Sequence, residues 1–156
     1  FQVFGRSLLD KGFAVVSINH RSSRDAKFPA QINDVKAAIR FIRANAAKYK
    51  LDTSFIGITG FSSGGHLASL AGTTNGVKSY TIGDKTVDLE GNVGEYFSFS
   101  SRVDAVVDWF GPIDMTRMEN CNTTKGANSP EAALIGGIPA DNLDMLALSK
   151  SHYLYR

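Results

Sequence analysis

Residues 55–72 read FIGITGFSSGGHLASLAG, a short apolar run that meets glycines and then continues with residues that favour a helix. At its centre, Gly60-Phe61-Ser62-Ser63-Gly64 has the form G-x-S-x-G. Between a strand and a helix this pattern forms a nucleophile elbow, a sharp turn that exposes a serine hydroxyl above the sheet. Gly60 is expected to let the strand end tightly, and Gly64 to leave room for the strained serine backbone. The pattern predicts Ser62 as a nucleophile and the backbone N–H of Ser63 as an oxyanion donor.

The same glycines admit other interpretations. A phosphate-binding P-loop requires Lys and then Ser or Thr after its last glycine, but Gly65 is followed by His66 and Leu67. A dinucleotide fingerprint requires a glycine where Ser62 stands. The turn at 59–64 also looks like the T-G-x-x-x-G turn of short-chain dehydrogenases, although no Tyr of this chain has Lys four residues later. A nucleotide-binding loop and an accidental glycine–serine turn are therefore the alternatives, and the surrounding elements must decide between them.

The composition indicates one globular domain over residues 1–156. The chain is 43% hydrophobic and 10% aromatic, so it is long enough and apolar enough to bury a core. Its 17 basic and 15 acidic residues are spread along the sequence, which offers no surface for nucleic acid, and no apolar run has the length of a membrane span. The single Cys121 excludes an internal disulfide and a cysteine-rich metal site. We expect no metal and no other cofactor, and the composition indicates neither an oligomeric state nor a compartment.

The rest of the chain alternates predicted helices with predicted strands. Helical patterns cover 1–11, 30–49, 130–135 and 142–148, and strand patterns cover 13–19, a run that begins at Phe55, and 103–110. In the long helix the basic residues fall between the apolar ones, which predicts a solvated face; they are Lys36, Arg40, Arg43 and Lys48. Residues 73–101 have no period of either kind and predict a long excursion that shapes a substrate mouth.

The strand at 13–19, the long helix and the strand at Phe55 predict a right-handed β-α-β crossover with parallel strands. The elbow then falls at the carboxyl end of a parallel strand. Open α/β sheets bind their ligands at that edge, so this context supports the elbow. The sequence therefore predicts an α/β domain with a mostly parallel sheet.

Four stretches in order carry a family resemblance: FPAQINDVKAAIRFIRANAAKYKLD at 28–52, IGITGFSSGGHLASLAG at 56–72, SSRVDAVVDWFGPIDMTRM at 100–118 and SPEAALIGG at 129–137. Together they resemble the BD-FAE group of α/β-hydrolases, esterases related to acetyl xylan and feruloyl esterases. The resemblance implies a three-layer sandwich with helices on both faces of the sheet, of which residues 1–156 would be one part. It also implies Ser62 as nucleophile, Ser63 as an oxyanion donor, and small-molecule or carbohydrate esters as substrates. His20 departs from the family, which usually shows Tyr before Arg21.

A serine nucleophile needs a base and a carboxylate that orients this base. His66 follows Ser62 on the same helix but recedes from the hydroxyl, so we expect it to be a packed structural residue. His20 is placed near the active edge, yet hydrolases of this fold supply their residues in the order Ser, acid, His. His152 follows Ser62 in the correct order, but no strand precedes it.

The carboxylates of the chain likewise offer no clear acid for the triad. Asp114 follows the strand at 103–110 on the correct edge, but the resemblance places the acid after a later strand and the histidine beyond it. It also places an H-G-G-type loop before Phe1. We therefore expect a chain truncated at both ends, with its acid and histidine outside residues 1–156. Asp84, Asp88 and Glu90 do not match a calcium loop and predict a solvated turn.

Two functions from different classes follow. The first is a serine esterase that is catalytic in the complete protein, while the 156-residue chain by itself is inactive or nearly so. The second is a catalytically incomplete remnant or a non-catalytic binding domain with a hydrolase core. The tail from Ser149 to Arg156 departs from the family, whose members resemble A-N-P-I-T-Y-I there. Codons can be chosen for this tail so that the same bases, read one nucleotide later, encode A-N-P-I-T-Y-I. We therefore interpret the tail as an out-of-frame translation of the family sequence, in which His152 has no selected role.

Overall fold

The computed structural model describes residues 2–121 and 123–151 of the chain. The α-helices are α1 (Gln2–Leu9), α2 (Ala30–Ala44), α3 (Ala46–Tyr49), α4 (Ser63–Thr73), α5 (Pro130–Ile135) and α6 (Leu143–Leu148). The strands are β1 (Gly57–Phe61), β2 (Ser79–Ile82), β3 (Lys85–Asp88) and β4 (Ala105–Trp109). Short 3₁₀ helices cover Met115–Asn120, Gly126–Asn128 and Pro139–Asp141. Within these residues, no helix combines the length and the apolar character needed to cross a bilayer.

The elbow lies on a parallel pair of strands, as predicted. β1 pairs with β4 in a register that places Gly57 opposite Ala105 and Phe61 opposite Trp109. α4 packs against both strands, and α2 packs against α4. The α/β class is therefore confirmed, with two strands in each of the two sheets that the structure describes.

The strand predicted for residues 13–19 is wrong. In the structure this segment forms no ladder, and Phe13 and Val16 are each half exposed. A strand exists only through the hydrogen bonds of a neighbour, and β1 pairs with β4 rather than with this segment. The predicted β-α-β crossover through α2 is wrong for the same reason, although the apolar, β-branched composition of the segment is typical of a buried strand.

The core forms where the apolar stripe of α2 meets α4. Ile32, Val35 and Ile39 recur at helical spacing and are buried against Leu67 and Leu70. α2 ends at Ala44, five residues before the predicted end. The next residue, Asn45, donates to the Phe41 carbonyl both from its N–H at 3.0 Å and from its side chain at 2.9 Å. The helical pattern then resumes only as the single turn of α3.

The excursion after α4 contains a hairpin that the prediction missed. β2 and β3 pair in antiparallel fashion, with Ser79 opposite Asp88 and Ile82 opposite Lys85. The two residues between them are Gly83 and Asp84, and Gly83 has a φ of +61°. A glycine at the first position of a two-residue turn is a hairpin signal. Val87 and Leu89, at alternate positions, reach the core.

One asparagine closes the excursion at its two ends. The Asn75 side chain donates from Nδ2 to the Val103 carbonyl at 2.8 Å and accepts from the Val103 N–H at 3.0 Å. Residue 75 follows α4, and residue 103 precedes β4. A single amide side chain therefore satisfies both backbone groups of Val103 and holds the chain just after α4 against the chain just before β4.

The solvated face predicted for the long helix at 30–49 is wrong for two of the four basic residues named. Lys36 and Arg40 are 0% and 1% exposed. Both pair with Glu90 of the excursion, and the Lys36 ammonium also donates to the carbonyls of Thr74 and Val77 at 3.1 Å. Arg43 donates to two backbone carbonyls, whereas Lys48 is exposed as predicted. The spacing of the basic residues predicted exposure to solvent. It could not reveal Glu90, because this partner lies some fifty residues away in the sequence.

Candidate active site

Ser62 lies on the sharp turn between β1 and α4. Its φ of +52° and ψ of −119° put a side-chain-bearing residue into a conformation that only glycine adopts without strain. The residue is exposed, and within the described residues its hydroxyl makes no hydrogen bond. A strained strand-to-helix turn that presents a free serine hydroxyl is the geometry of a nucleophile elbow.

The helix behind Ser62 supplies donors for a negative charge. The first helical bond runs from the His66 N–H to the Ser62 carbonyl at 3.1 Å, so the preceding N–H groups of α4 have no intrahelical partner. Ser63, the first of these residues, is exposed beside Ser62. The free N–H groups and the positive end of the helix dipole favour an anion at this position. The Ser63 N–H thus lies at the start of α4 beside Ser62, and its role as an oxyanion donor stays a prediction.

Three hydrogen bonds made by β4 and its following turn support the elbow. The Ser62 N–H donates to the Trp109 carbonyl at 2.8 Å, which extends the strand pairing by one residue. The Asp108 carboxylate accepts from the Gly111 N–H and from the Ser69 hydroxyl, each at 2.7 Å. It thereby joins the turn after β4 to the helix that begins at the elbow. Sequence reasoning did not single out Asp108, and its only signal was its position in the D-W-F-G-P stretch.

The glycines that the elbow requires on steric grounds are not the same two that the sequence predicted. A side chain at Gly60 would overlap the backbone of Gly64, so this turn has no room for a side chain at 60. A side chain at Gly64 would meet no described atom within 4 Å, so the steric role expected of Gly64 is wrong. The crowded position is Gly65, where a side chain would overlap the Asp108 carboxylate and meet Gly111 at 3.0 Å. α4 packs closely against β4 and the turn after it at residue 65. This close contact requires glycine at 65, the second of the pair Gly64-Gly65.

His66 is buried and its ring is already engaged. Its Nε2 lies 2.7 Å from the Ser149 carbonyl oxygen, which can only accept, so Nε2 carries the proton. Burial lowers the pKa of His66 below 6.5, against the opposing effects of that hydrogen bond and of Asp108. A neutral imidazole committed to a backbone carbonyl is a structural residue. The prediction that His66 packs rather than acts as the base agrees with this geometry.

Among the described residues, neither Asp114 nor His20 is brought to Ser62 by a hydrogen bond. Asp114 caps the Met115–Asn120 turn through Thr116 and pairs with Lys150 at 3.0 Å. Burial alone would raise the pKa of Asp114, but the hydrogen bonds from Thr116 and Lys150 lower it. The His20 ring is exposed and bonds the adjacent Arg21 carbonyl. His152 and the tail at 152–156 lie outside the described residues.

The predicted solvated turn at Asp84, Asp88 and Glu90 is correct only in part. Asp84 is exposed, and Asp88 accepts from the backbone N–H groups of Glu90 and Gly91. Glu90 instead binds the two buried cations of α2 and accepts from the Ser101 hydroxyl at 2.8 Å. Residues 2–121 and 123–151 contain no group of three side chains arranged to hold a metal ion.

One cavity among the described residues lies away from the elbow. It has a volume of about 520 Å³ and is lined by Arg40, Lys78, Phe97 and Arg102 among others. Arg102 comes shortly before β4, and Gly76, also in the lining, comes shortly after α4. The cavity is therefore at the amino edge of the strands, whereas Ser62 is at their carboxyl edge. In this structure the excursion shapes a cavity remote from Ser62 rather than a mouth above it.

Comparison with known proteins gives a consistent result. The BD-FAE family model matches residues 1–155. The chain is 35% identical over 113 residues to the probable carboxylic ester hydrolase LipM of Mycobacterium tuberculosis, a match of 72% of this chain and 23% of that protein. Among solved structures, a bifunctional GH43-CE protein of Bacteroides eggerthii is 91% identical with a TM-score of 0.95, and the match covers 99% of this chain and 22% of that one.

A second solved structure, a truncated form of a carbohydrate esterase from gut microbiota, is 60% identical with a TM-score of 0.92. That match covers 97% of this chain and 53% of the other. The chain thus spans between about a fifth and a half of the length of these three proteins. With the family model matched over residues 1–155 and the elbow in place between β1 and α4, the chain belongs to the BD-FAE family.

Proposed function

We propose that this chain is the nucleophile-bearing part of a serine carboxylic-ester hydrolase that acts on small-molecule or carbohydrate esters. The observation that carries the proposal is the φ of +52° at exposed Ser62, between a parallel strand and a helix with free N–H groups. Such strain persists only where the surrounding structure holds it, and it is concentrated at functional sites. The names of the relatives, a carboxylic ester hydrolase and a carbohydrate esterase, support the class of substrate.

In the proposed reaction the Ser62 hydroxyl oxygen adds to the ester carbonyl carbon while a base takes its proton. The negative charge that develops on the carbonyl oxygen is met by the Ser63 N–H at the start of α4. The carbon–oxygen bond to the alcohol then breaks, and the alcohol leaves with the proton. Water attacks the acyl-serine and releases the acid, restoring the Ser62 hydroxyl.

The base and the acid of the triad are proposed to come from residues other than the described ones. His66 is committed to Ser149, and Asp114 is committed to its cap and to Lys150. We propose that they join Ser62 in a three-layer α/β-hydrolase domain with helices on both faces of a larger sheet. The isolated 156-residue chain should accordingly hydrolyse activated esters very weakly, since a serine without its base retains little catalysis.

The test uses the longest natural protein that contains this sequence, called the whole protein below. A fluorophosphonate probe followed by peptide mapping is expected to label Ser62, and Ser62→Ala should abolish both labelling and ester hydrolysis. Ser98→Ala is the matched control, because Ser98 is an exposed serine of the excursion and should leave both unchanged. A whole protein that neither reacts with the probe nor hydrolyses esters would favour the non-catalytic binding domain. Full activity in Ser62→Ala would refute the assignment.

The short-chain dehydrogenase alternative has no support beyond the turn itself. The relatives are named as esterases, and the turn at 59–64 joins strand to helix with a serine, not a glycine, at its strained position. We therefore propose no nucleotide as ligand.

A further inference from the structure

Phe110 is a large aromatic residue held in an unfavourable conformation. Its φ is +61°, in the left-handed region that bulky side chains rarely adopt, and it is 85% exposed. It follows β4 directly and lies within the turn that the Asp108–Gly111 bond closes. A fold that needed only this backbone conformation would be more stable with glycine or asparagine at 110. Within the described residues, burial therefore does not explain the ring.

The position of Phe110 is fixed relative to the nucleophile. The parallel register ends with Phe61 opposite Trp109, and the next bond joins the Ser62 N–H to the Trp109 carbonyl at 2.8 Å. The residues that follow this last pair are Ser62 on one chain segment and Phe110 on the other. Phe110 thus leaves the carboxyl edge of the sheet next to the elbow.

The ring of Phe110 continues an aromatic surface made by Phe61, Trp109 and Phe110. The Phe61 and Trp109 rings are stacked with centroids 5.6 Å apart and planes 20° apart. The Trp109 and Phe110 centroids are 6.3 Å apart, with the planes tilted by 56°. Phe61 is 50% exposed, so this surface faces outward beside Ser62. Flat aromatic surfaces bind ring faces through contact area and edge-to-face geometry.

We propose that Phe110 is a specificity-determining residue that binds a six-membered ring of the ester substrate on this aromatic surface. The inference rests on the proposed role of Ser62. The shared chemistry of the ligand is a ring with an apolar face, which an aromatic acyl group and the C–H face of a pyranose both offer. The strained backbone at 110 turns the ring outward, where it contacts substrate instead of the core.

The experiment compares three esters with the whole protein: the methyl ester of a hydroxycinnamic acid, an acetylated methyl xyloside, and propyl acetate. The first has an aromatic acyl group, the second a pyranose alcohol, and the third no ring. Phe110→Ala removes the ring and keeps the strain, Phe110→Gly removes both, and Phe110→Tyr keeps the ring. Melting curves of each variant establish that it is folded. If Phe110→Ala does not fold, Phe110→Gly still tests the loss of the ring, because glycine relieves the backbone strain.

We expect the alanine and glycine variants to lower kcat/KM for at least one ring-bearing ester by about tenfold, the size of one aromatic contact, relative to propyl acetate. Phe110→Tyr should restore the ratio. The ester that loses activity identifies the source of the ring as the acyl or the sugar half. An equal change for all three esters, no change for any, or a whole protein that accepts only propyl acetate would overturn the proposal. Ser62→Ala tested in parallel separates this from the proposed function, because activity retained there would refute the nucleophile instead.

Discussion

At the scale of single residues, the two adjacent glycines after the nucleophilic turn have opposite requirements. A methyl group at Gly65 would meet the Asp108 carboxylate and the Gly111 backbone, whereas one at Gly64 would enter open space among the described atoms. Gly65→Ala is therefore expected to destabilise the protein by about 1–3 kcal/mol through overpacking. Gly64→Ala should leave stability unchanged or raise it by up to about 1 kcal/mol, because alanine favours the helix. Urea unfolding of the two variants provides the comparison, and equal losses would contradict this account of the contact.

The buried imidazole of His66 predicts a pH dependence with a definite sign. Burial holds its pKa below 6.5 in the folded protein, so below pH 6.5 the unfolded chain binds a proton that the folded chain does not. Folding stability contributed by His66 is then fully present above pH 6.5 and is lost as pH falls, by at most about 1.4 kcal/mol per pH unit. His66→Gln keeps a donor for the Ser149 carbonyl but does not titrate. Between pH 7.5 and 5 its free energy of unfolding should fall less than that of the wild type, and parallel curves would show that His66 protonates freely when folded.

At the scale of elements, the charged network between α2 and the excursion is the feature that sequence periodicity misassigned. Periodicity reports which residues share a helix face, and Lys36 and Arg40 do lie off the apolar stripe. It does not report that a segment some fifty residues later folds over that face and brings Glu90 as a counter-charge. The hairpin β2–β3 was missed for a related reason, because its strands have only four residues each and its signal is a single Gly83-Asp84 turn.

Removing the acid of this network should cost more than removing a base. Glu90→Gln leaves Lys36 and Arg40 buried with no carboxylate, and we expect a loss of about 3 kcal/mol in the free energy of unfolding. Lys36→Met keeps the Arg40–Glu90 pair and leaves two carbonyls without a donor, for an expected loss of about 1–2 kcal/mol. Chemical denaturation measures both.

The matched control is Asp84→Asn, which removes an exposed carboxylate from the same excursion. It should change stability by less than about 0.5 kcal/mol. If Glu90→Gln were no more destabilising than this control, the two buried cations would have found compensation elsewhere, and the network would not be what fastens the excursion to α2.

At the scale of the whole molecule, local sequence predicted those parts that are held together by local contacts. The helix at 30–44, the elbow at 60–64 and the parallel strand at 105–109 follow from apolar spacing, from glycine chemistry and from a β-branched run. The segment at 13–19 has the same apolar character, yet it is no strand, because a strand depends on a neighbour that periodicity cannot supply. Ser62 and Ser63 could be proposed from the motif alone. Asp108, Gly65 and Phe110 could not, since their roles arise only when β4 lies beside the elbow.

The Asn75 side chain has a consequence for how such a protein can change over evolution. By binding both backbone groups of Val103, it fixes the exit from α4 and the entry into β4 at one point, whatever lies between them. Extending a loop whose ends are already held costs little entropy, since each doubling of length adds only about 0.6 kcal/mol. Within residues 76–102, the exposed Gly83-Asp84 turn can thus accept insertions without disturbing the strand that supports Ser62, whereas Val87, Leu89 and Glu90 are held by the core and by α2.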